Sequence, residues 1–244
     1  PRLGTAWYAL NTRDEALSDP RVRQALSLAL DRRELARILG PAAATAGGLV
    51  PPGIPGYDRP PVLAADPDRA RRLLAEAGYT AAEPFPRLEI AVDARAMHQR
   101  AAEFITATWK RELGVEAGVY TRAWKAHSEA VQTGAYQVGR GGWVADFPDP
   151  ASFLELFRSG NALNAPGWSN PTYDALVDEA AATTDAASRM RLLAQAERLV
   201  LEQAPVLPLF HFTSLSLLKP YVGGFEDNAL NIHLLKYVTL GTTG

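Results

Sequence analysis

Two aspartates three positions apart, Asp146 and Asp149, are the first candidates for chemistry in this sequence. They lie in the segment GGWVADFPDP, residues 141–150, together with one indole and two prolines. Two carboxylates can act as general acid and general base. Such a pair needs a controlled separation across the cleaved bond, and proximity in sequence does not supply it. Asp149 stands between two prolines, which is typical of a turn-former or of a cap for a helix formed by SFLELF.

Asp146 follows the apolar residues WVA at the predicted end of a strand, and Trp143 and Phe147 flank it. This composition predicts a partly dry environment, in which an unpaired carboxylate is unfavourable. Asp146 therefore needs a cationic partner or several hydrogen-bond donors. The residues alone leave two partners open, an arginine of the same chain or a positively charged group of a ligand. An internal arginine at Asp146, with no cleft in front of it, would argue against a binding site.

The four histidines, His98, His127, His211 and His233, have neither the HxxxH nor the HxH spacing of a metal site, so we expect no metal ion. No GxSxG elbow is present, although counting residues does not exclude a Ser-His-Asp arrangement. The GRGG segment at 139–142 lacks the GxGxxG spacing and leads into a strand end, so it predicts no dinucleotide cofactor. Its glycines instead permit a close approach of the backbone to another group.

The tryptophans divide by position. Trp109 falls within a predicted helix, so we expect it in the core, where this residue type is found more often than at ligands. Trp7 and Trp143 lie at predicted strand ends, where we expect them to line a pocket.

The composition limits the classes of function. With 244 residues, of which 47% are apolar, the chain can bury one large core or two smaller ones. Its net charge of -2 creates no field that would attract nucleic acid or anionic lipid. Without cysteine, disulfides, thiolate zinc sites and a cysteine nucleophile are excluded. The chain opens at Pro1 without Met and without a visible signal peptide, so we expect it to be cut from a longer protein.

The elements that must position these residues follow from capping and periodicity. A strand is predicted at 6–10, and a single helix at 19–40, where Asp19 caps, Pro20 starts and Gly40 terminates the helix. A long irregular connection, either a surface crossover or a binding loop, follows at 41–63. The later segments are predicted as a helix from Asp66 to Gly78, a strand at 87–92, a helix at about 97–113, a strand in VEAGVYTR, a helix in AWKAHSEAVQTGA and a strand running into the aspartate loop.

This alternation of strands and helices predicts an α/β sheet. After residue 170 we expect two more helices, one in NPTYDALVDEAAA and one capped by Asp185. A strand or strand pair is predicted in VLPLFHFTSLSLL, and a last strand near the end of the chain.

Several phrases, in the same order along nearly the whole chain, are similar to one family. They are LNT…SDPRVRQALSLALDR (10–32), VPPGIPGY (50–57), ARRLLAEAGY (70–79), WKRELGV (109–115), GGWVADFPDPASFLELF (141–157), NPTYDALVDEA (170–180), APVLPLFHF (204–212) and KPYVGGF (219–225). The sequence resembles the extracytoplasmic peptide-binding proteins of ABC importers, the oligopeptide and dipeptide group of solute-binding protein family 5.

The resemblance implies an α/β fold, namely the C-terminal lobe of a two-lobed periplasmic-binding-protein-like fold (type II, cluster C) with a mixed sheet flanked by helices. Residues 1–224 would form this ligand-binding lobe, entered through a hinge strand near 5–10. Residues 225–244 would be a return segment that packs on the N-terminal lobe, which these residues do not contain.

The resemblance also implies a set of ligand-binding residues and no catalytic residue. Asp146 matches the aspartate that pairs with the α-ammonium of the peptide, and Trp143 matches an aromatic residue beside it. Arg140 and His98 match basic positions that can receive the peptide carboxylate. The matched pocket-lining aromatic residues are Trp124, Trp7 and Phe212. Trp7 and Phe212 stand where the best-known oligopeptide binders carry tyrosine, which leaves the ligand open.

The implied function is a binding protein, not an enzyme, that delivers peptides to the permease subunits of an ABC importer. We expect a monomer located in the periplasm, or outside the cell as a membrane-anchored lipoprotein, without nucleic acid as a partner. The alternatives are the ligand-sensing domain of a transcription regulator, a carboxylate-dyad hydrolase, and a binder of a non-peptide solute such as a nickel chelate, glutathione or an oligosaccharide.

Overall fold

The computed structural model describes residues 2–60 and 64–241, which alternate between strands and helices. The strands are β1 (Gly4–Leu10), β2 (Ala43–Thr45), β3 (Leu88–Asp93), β4 (Ala117–Arg122), β5 (Val138–Val144), β6 (Val206–Phe212), β7 (Val222–Gly223) and β8 (Thr239–Leu240). The helices are α1 (Glu15–Ser18), α2 (Pro20–Leu28), α3 (Arg32–Leu39), α4 (Pro67–Glu76), α5 (Ala96–Leu113), α6 (Trp124–Thr133), α7 (Ala151–Leu154), α8 (Pro171–Ala182) and α9 (Ala186–Gln203). None of the described helices is long and apolar enough to cross a membrane.

The main sheet is mixed, with the strand order β2-β6-β1-β5-β3-β4. β1 lies between β5 and β6 and is antiparallel to both, whereas β3 is parallel to β4 and to β5. A mixed sheet flanked by helices is the architecture that the family resemblance implied, and this prediction is confirmed.

Both faces of the sheet are covered, because side chains of β1 alternate between two cores. Tyr8 and Leu10 belong to the core shared with α2, α4 and α5, and Trp7 and Ala9 belong to the core shared with α8 and α9. Every residue of β1 is therefore buried, as expected of a central strand with helices on both sides. Trp109 is fully buried, as predicted, and its indole N–H donates to the carbonyl of Leu26.

The single helix predicted at 19–40 is wrong, because the chain forms two helices there. Asp31 caps the second helix by accepting hydrogen bonds from the N–H groups of Arg33 and Glu34. The buried Arg32 donates to the carbonyl of Ser27, in the last turn of the first helix, and to that of Leu30, in the short link between the two helices. The helical spacing of apolar residues continues across residues 29–31, but Asp31 acts as an N-cap there and begins a new helix.

Two other expectations need correction. The strand or strand pair predicted in VLPLFHFTSLSLL is a single strand, β6, which ends at Phe212. The last strand, β8, has only two residues and pairs with β7, which is equally short. The predicted strand at 87–92 and the helix at about 97–113 agree with β3 and α5 to within one residue. The helix ends as predicted at Gly114, which has a left-handed φ of 69°.

The connection predicted at 41–63 contains the short strand β2, and its residues 46–50 are buried (residues 61–63 lie outside the described range). Glu197 of α9, which is 0% exposed, accepts hydrogen bonds from the N–H groups of Leu49 and Val50 and from the hydroxyl of Tyr57. Gly48 has to be glycine because a Cβ there would meet the Glu197 Oε1 atom at 2.6 Å. One buried carboxylate therefore fixes this part of the connection to the helix.

We expect Glu197→Ala to lower the free energy of unfolding by about 3–5 kcal/mol, because three buried donors would lose their acceptor. Urea unfolding at neutral pH measures the change. Glu202→Ala, an exposed position on the same helix, is the control and should change stability by less than about 0.5 kcal/mol. Equal stability of the two variants would contradict the structural role of Glu197.

Candidate functional site

Asp146 lies just beyond the end of β5, where the chain leaves the sheet. The preceding Ala145 still donates its N–H to the carbonyl of Leu3, and the N–H of Asp146 donates to the hydroxyl of Ser152. The Asp146 side chain itself is exposed, so the partly dry environment predicted from its neighbours is wrong. Within the described residues its carboxylate forms no ion pair with an arginine, lysine or histidine.

Asp149 has a different environment, and its contacts are internal. Its carboxylate accepts two hydrogen bonds from the guanidinium of Arg189, at 2.7 and 2.9 Å, and one from the N–H of Ala151. Partial burial alone would raise the pKa of Asp149, but these donors hold that pKa below its usual value. Asp149 thus orders the turn before α7, as its two flanking prolines predicted. Its carboxylate is paired with Arg189 and does not form a dyad with Asp146.

A second group of polar residues meets at the carboxyl end of β3. The His98 Nδ1 atom lies 2.7 Å from the Oδ1 atom of Asp93, and the Arg140 Nη1 atom lies 3.7 Å from its Oδ2 atom. Asp93 is 2% exposed and His98 is 5% exposed. The hydroxyl of Tyr8 donates to the carbonyl of His98 and helps to hold the start of α5.

Burial lowers the pKa of His98, and the nearby Arg140 lowers it further, against the opposing effect of Asp93. His98 is therefore neutral at pH 7, and its Nδ1–H donates to Asp93. Burial would raise the pKa of Asp93, but the contacts with His98, the Arg95 N–H and Arg140 hold it below its usual value. Of the two basic positions predicted for a ligand carboxylate, only Arg140 carries a positive charge.

The glycines before Asp146 allow close packing, as the sequence predicted. A Cβ at Gly141 would meet the indole Nε1 atom of Trp7 at 2.5 Å, and a Cβ at Gly142 would meet the carbonyl oxygen of Thr5 at 3.0 Å. The partner of this approach is β1 of the same chain, where Trp7 is opposite Gly141 in the antiparallel register. The glycines thereby seat the Trp7 ring against β5.

A pocket of about 200 Å³, which we call the aromatic pocket, opens beside these glycines. The large apolar side chains that line it include Trp7, Trp124, Trp143, Leu156, Phe157 and Leu163. The ring centroids of Trp7 and Phe157 lie 5.7 Å apart in an edge-to-face arrangement. His127 lines its polar side and contacts the carbonyl of Arg140 through Nε2 at 2.8 Å.

A wider cleft of about 430 Å³, which we call the arginine cleft, lies at the same end of β5. Its lining includes Arg2, Arg95, His98, Arg140, Trp143 and Phe212. Arg140 and Trp143 line both the cleft and the aromatic pocket, so the two spaces adjoin along β5.

The structure brings six of the seven predicted site residues to these two spaces. Trp7 and Trp124 line the aromatic pocket, His98 and Phe212 line the arginine cleft, and Arg140 and Trp143 line both. Asp146 lines neither space and follows two positions after Val144, which lines the arginine cleft.

Sequence reasoning missed Asp93, Arg95, Arg2 and His127. A signal existed for Asp93, since it ends a predicted apolar strand next to a helix, the place where ligands bind in α/β sheets. For the other three residues the sequence offered no comparable signal. In the described part of the chain, no three His, Asp or Glu side chains are grouped as a metal ion would require.

An α/β unit with adjoining ligand-sized spaces at one end of its strands is typical of proteins that bind small molecules. The chain belongs to family 5 of the bacterial extracellular solute-binding proteins. The family model described as "Bacterial extracellular solute-binding proteins, family 5 Middle" matches residues 1–165.

Similar proteins carry names from bacterial solute uptake. The probable deoxycholate-binding periplasmic protein YgiS of Escherichia coli K12 is 34% identical over 92% of this chain and 43% of its own length. The periplasmic oligopeptide-binding protein OppA of the same strain is 30% identical over 97% of this chain and 46% of its own length. The chain thus spans less than half the length of these relatives.

Solved structures agree with this assignment. The E. coli murein tripeptide binding protein MppA superposes with a TM-score of 0.90 at 29% identity, covering 100% of this chain and 49% of that protein. OppA of Burkholderia pseudomallei superposes with a TM-score of 0.89 at 34% identity, covering 99% of this chain and 49% of that protein. The fold is therefore that of one half of a periplasmic binding protein of this family.

We expect Asp149→Asn to lower the free energy of unfolding by about 1–2 kcal/mol at pH 7, because it weakens a partly buried, bidentate ion pair. The depressed pKa of Asp149 stabilises the fold above the usual aspartate pKa, and this stabilisation is lost as the pH falls through the lowered value. The difference between variant and wild type should therefore shrink as the pH falls below the ordinary aspartate pKa of about 3.9. Urea unfolding across this pH range measures it.

The control for Asp149→Asn is Asp178→Asn, which removes a more exposed ion pair with Arg158 and should change stability by at most about 1 kcal/mol. A stability loss at Asp149 that is independent of pH would contradict the ion-pair explanation.

Proposed function

We propose that this chain is the C-terminal lobe of an extracytoplasmic peptide receptor that delivers its ligand to the permease of an ABC importer. The observation that carries the proposal is the open side of β5. This strand pairs with β1 from Val138 to Val144, but it pairs with β3 only at Val138 and Gly139. From Arg140 onward β5 thus has no partner strand on its second side within the described chain, and it leads directly to the exposed carboxylate of Asp146.

An open strand side suits a ligand that has a peptide backbone. Backbone hydrogen bonds give affinity that is independent of the peptide sequence, and pockets beside the strand bind every second side chain of the peptide. The aromatic pocket is such a side-chain pocket, because its lining is mostly apolar and its volume exceeds that of a cavity that holds benzene.

Charged groups at the two ends of the open strand side would set the register of the peptide. Asp146 pairs with the α-ammonium, since its carboxylate is exposed and has no cationic partner among residues 2–60 and 64–241. Arg140 receives the ligand carboxylate, since of the two predicted basic positions, Arg140 and His98, it is the one that carries a positive charge. Trp143 lies between them in sequence and lines both spaces, so it borders the bound backbone.

The names of similar proteins support a peptide as the solute. Among them are OppA, described as an oligopeptide-binding protein, and MppA, described as a murein peptide-binding protein. Both relatives are described as periplasmic, which supports a periplasmic receptor. The protein would act as a monomer, in the periplasm or attached to the outer face of a membrane as a lipoprotein. It would be a binding protein and not an enzyme.

A second lobe would complete the site. The segment after β6 exposes large apolar side chains, including Leu215 at 77%, Leu217 at 93% and Leu235 at 75%. A surface of this kind is unfavourable in water and typical of an interface. In our proposal residues 1–224 form the ligand-binding lobe, and residues 225–244 return to the N-terminal lobe (residues 242–244 lie outside the described range). Closure of the two lobes excludes water and strengthens the ion pairs with the ligand.

We expect Asp146→Ala to weaken peptide binding by the full-length gene product by about two to four orders of magnitude, because a desolvated ion pair loses one partner. Calorimetric titration with a peptide that binds the wild type measures the effect. Asp149→Asn is the matched control and should keep the wild-type affinity. Unchanged affinity in Asp146→Ala would exclude this residue as the ammonium site.

We also expect the 244 residues alone to bind peptides only weakly, with a dissociation constant well above about 1 µM, because one lobe leaves the ion pairs in contact with water. Quenching of tryptophan fluorescence during a titration tests this, since Trp7, Trp124 and Trp143 line the site. Saturation at micromolar peptide would contradict the requirement for a second lobe.

A further inference from the structure

The arginine cleft holds more positive charge than a single ligand carboxylate needs. Three guanidinium groups line it, those of Arg2, Arg95 and Arg140, and none of its lining residues in the described chain is acidic. One carboxylate, that of Asp93, contacts His98 and lies 3.7 Å from the Arg140 guanidinium. Three positive groups minus one negative group leave a charge of +2 at this place.

Of these three arginines, Arg2 and Arg95 are free of internal ion pairs within the described residues and can bind an anionic ligand. Neither forms an ion pair with an acidic side chain within residues 2–60 and 64–241. The guanidinium carbon of Arg95 lies 5.6 Å from the ring centroid of Trp124, a cation-π contact that holds the side chain between the cleft and the aromatic pocket.

The start of α5 adds to the positive potential. This helix has 18 residues, and Met97 and His98 in its first turn line the cleft. Within the described chain no side chain caps its N-terminus, and the Asp93 carboxylate, which accepts from the N–H of Arg95, offsets part of the positive charge of the helix end. A helix N-terminus next to arginines is a favourable place for an anion.

Buried hydrogen-bond donors without partners also indicate that the arginine cleft binds an anion. The Nε atoms of Arg2 and Arg140 and the indole Nε1 atom of Trp143 are buried and have no hydrogen-bond partner among the residues that the structure describes. All three residues line the cleft. Buried donors without a partner are rare in folded proteins and unfavourable, so three of them around one cleft indicate a ligand rich in acceptor oxygens.

We infer that the arginine cleft binds carboxylate groups of the ligand through Arg2 and Arg95 in addition to Arg140, and that the receptor therefore selects acidic peptides. The inference rests on the proposed function and names the class of peptide. The carboxylates have two sources, the C-terminus of a short peptide and the side chain of its last residue. A peptide that ends in glutamate supplies both and neutralises the charge of +2.

The test compares Ala-Ala-Glu, Ala-Ala-Gln and the C-terminal amide of Ala-Ala-Glu by calorimetric titration of the full-length gene product. We expect Ala-Ala-Glu to bind at least about tenfold more tightly than either neutralised form, because charge-assisted bonds to guanidinium groups are lost in both. Arg95→Gln and Arg2→Gln should each reduce this preference to about threefold or less. Arg100→Gln, an exposed arginine on α5 outside the cleft lining, should retain it.

Each outcome of the comparison is informative. A preference for one carboxylate that disappears in Arg95→Gln supports the inference and identifies its source as the terminus or the side chain. Equal affinity for all three peptides overturns the inference while the peptide-receptor function stands. A preference that persists in both Arg95→Gln and Arg2→Gln also overturns it.

A second measurement separates the inference from the proposed function if the wild type binds none of these peptides. Glutarate is titrated into the ¹⁵N-labelled full-length gene product, and the Trp143 indole N–H resonance is followed. A shift that is lost in Arg95→Gln and kept in Arg100→Gln supports an anion cleft in a protein whose ligand is not a peptide. The absence of a shift overturns the inference as well.

Discussion

The antiparallel pairing of β1 with β5 is the constraint on which the site depends. It places Trp7 opposite Gly141 and Thr5 opposite Trp143, in the middle of a sheet that is covered on both faces. Because Gly141 has no Cβ, the Trp7 indole can lie against the strand, where it forms part of the aromatic pocket. The same pairing satisfies one side of β5 and leaves the residues after Gly139 open on the other.

The charges of the site are kept apart by the geometry of the strand ends. Asp93, at the end of β3, lies between His98 and Arg140, so the positive charge of Arg140 is fixed near one edge. Asp146, beyond the end of β5, has no internal partner in the described chain, whereas Asp149 is occupied by Arg189. In the proposed complex, a ligand with both charges bridges groups that the protein does not bring together, and this polarity gives the ligand a direction along β5.

Much of the fold can be predicted from the sequence because its signals are local. The capping residues Asp19, Asp66 and Asp185 act as expected, and β3 and α5 agree closely with their predicted ranges. The helix predicted at 19–40 fails for a reason that is partly non-local. Arg32, which supports the break, also donates to the carbonyl of Pro208, 176 positions away, and no periodicity reveals that contact. The sequence indicated six of the residues that line the site, including Arg140, but not Arg2 and Arg95.

The sequence by itself determined the α/β class, the family resemblance and the turn at Asp149, because these follow from composition, order and nearest neighbours. Only the tertiary structure decided that Asp146 is exposed, that His98 is buried and neutral, and that Arg2 and Arg95 join Arg140 around one cleft. The physical reason is that burial, pKa and charge clustering depend on distances between residues far apart in the chain, and packing of the sheet sets those distances.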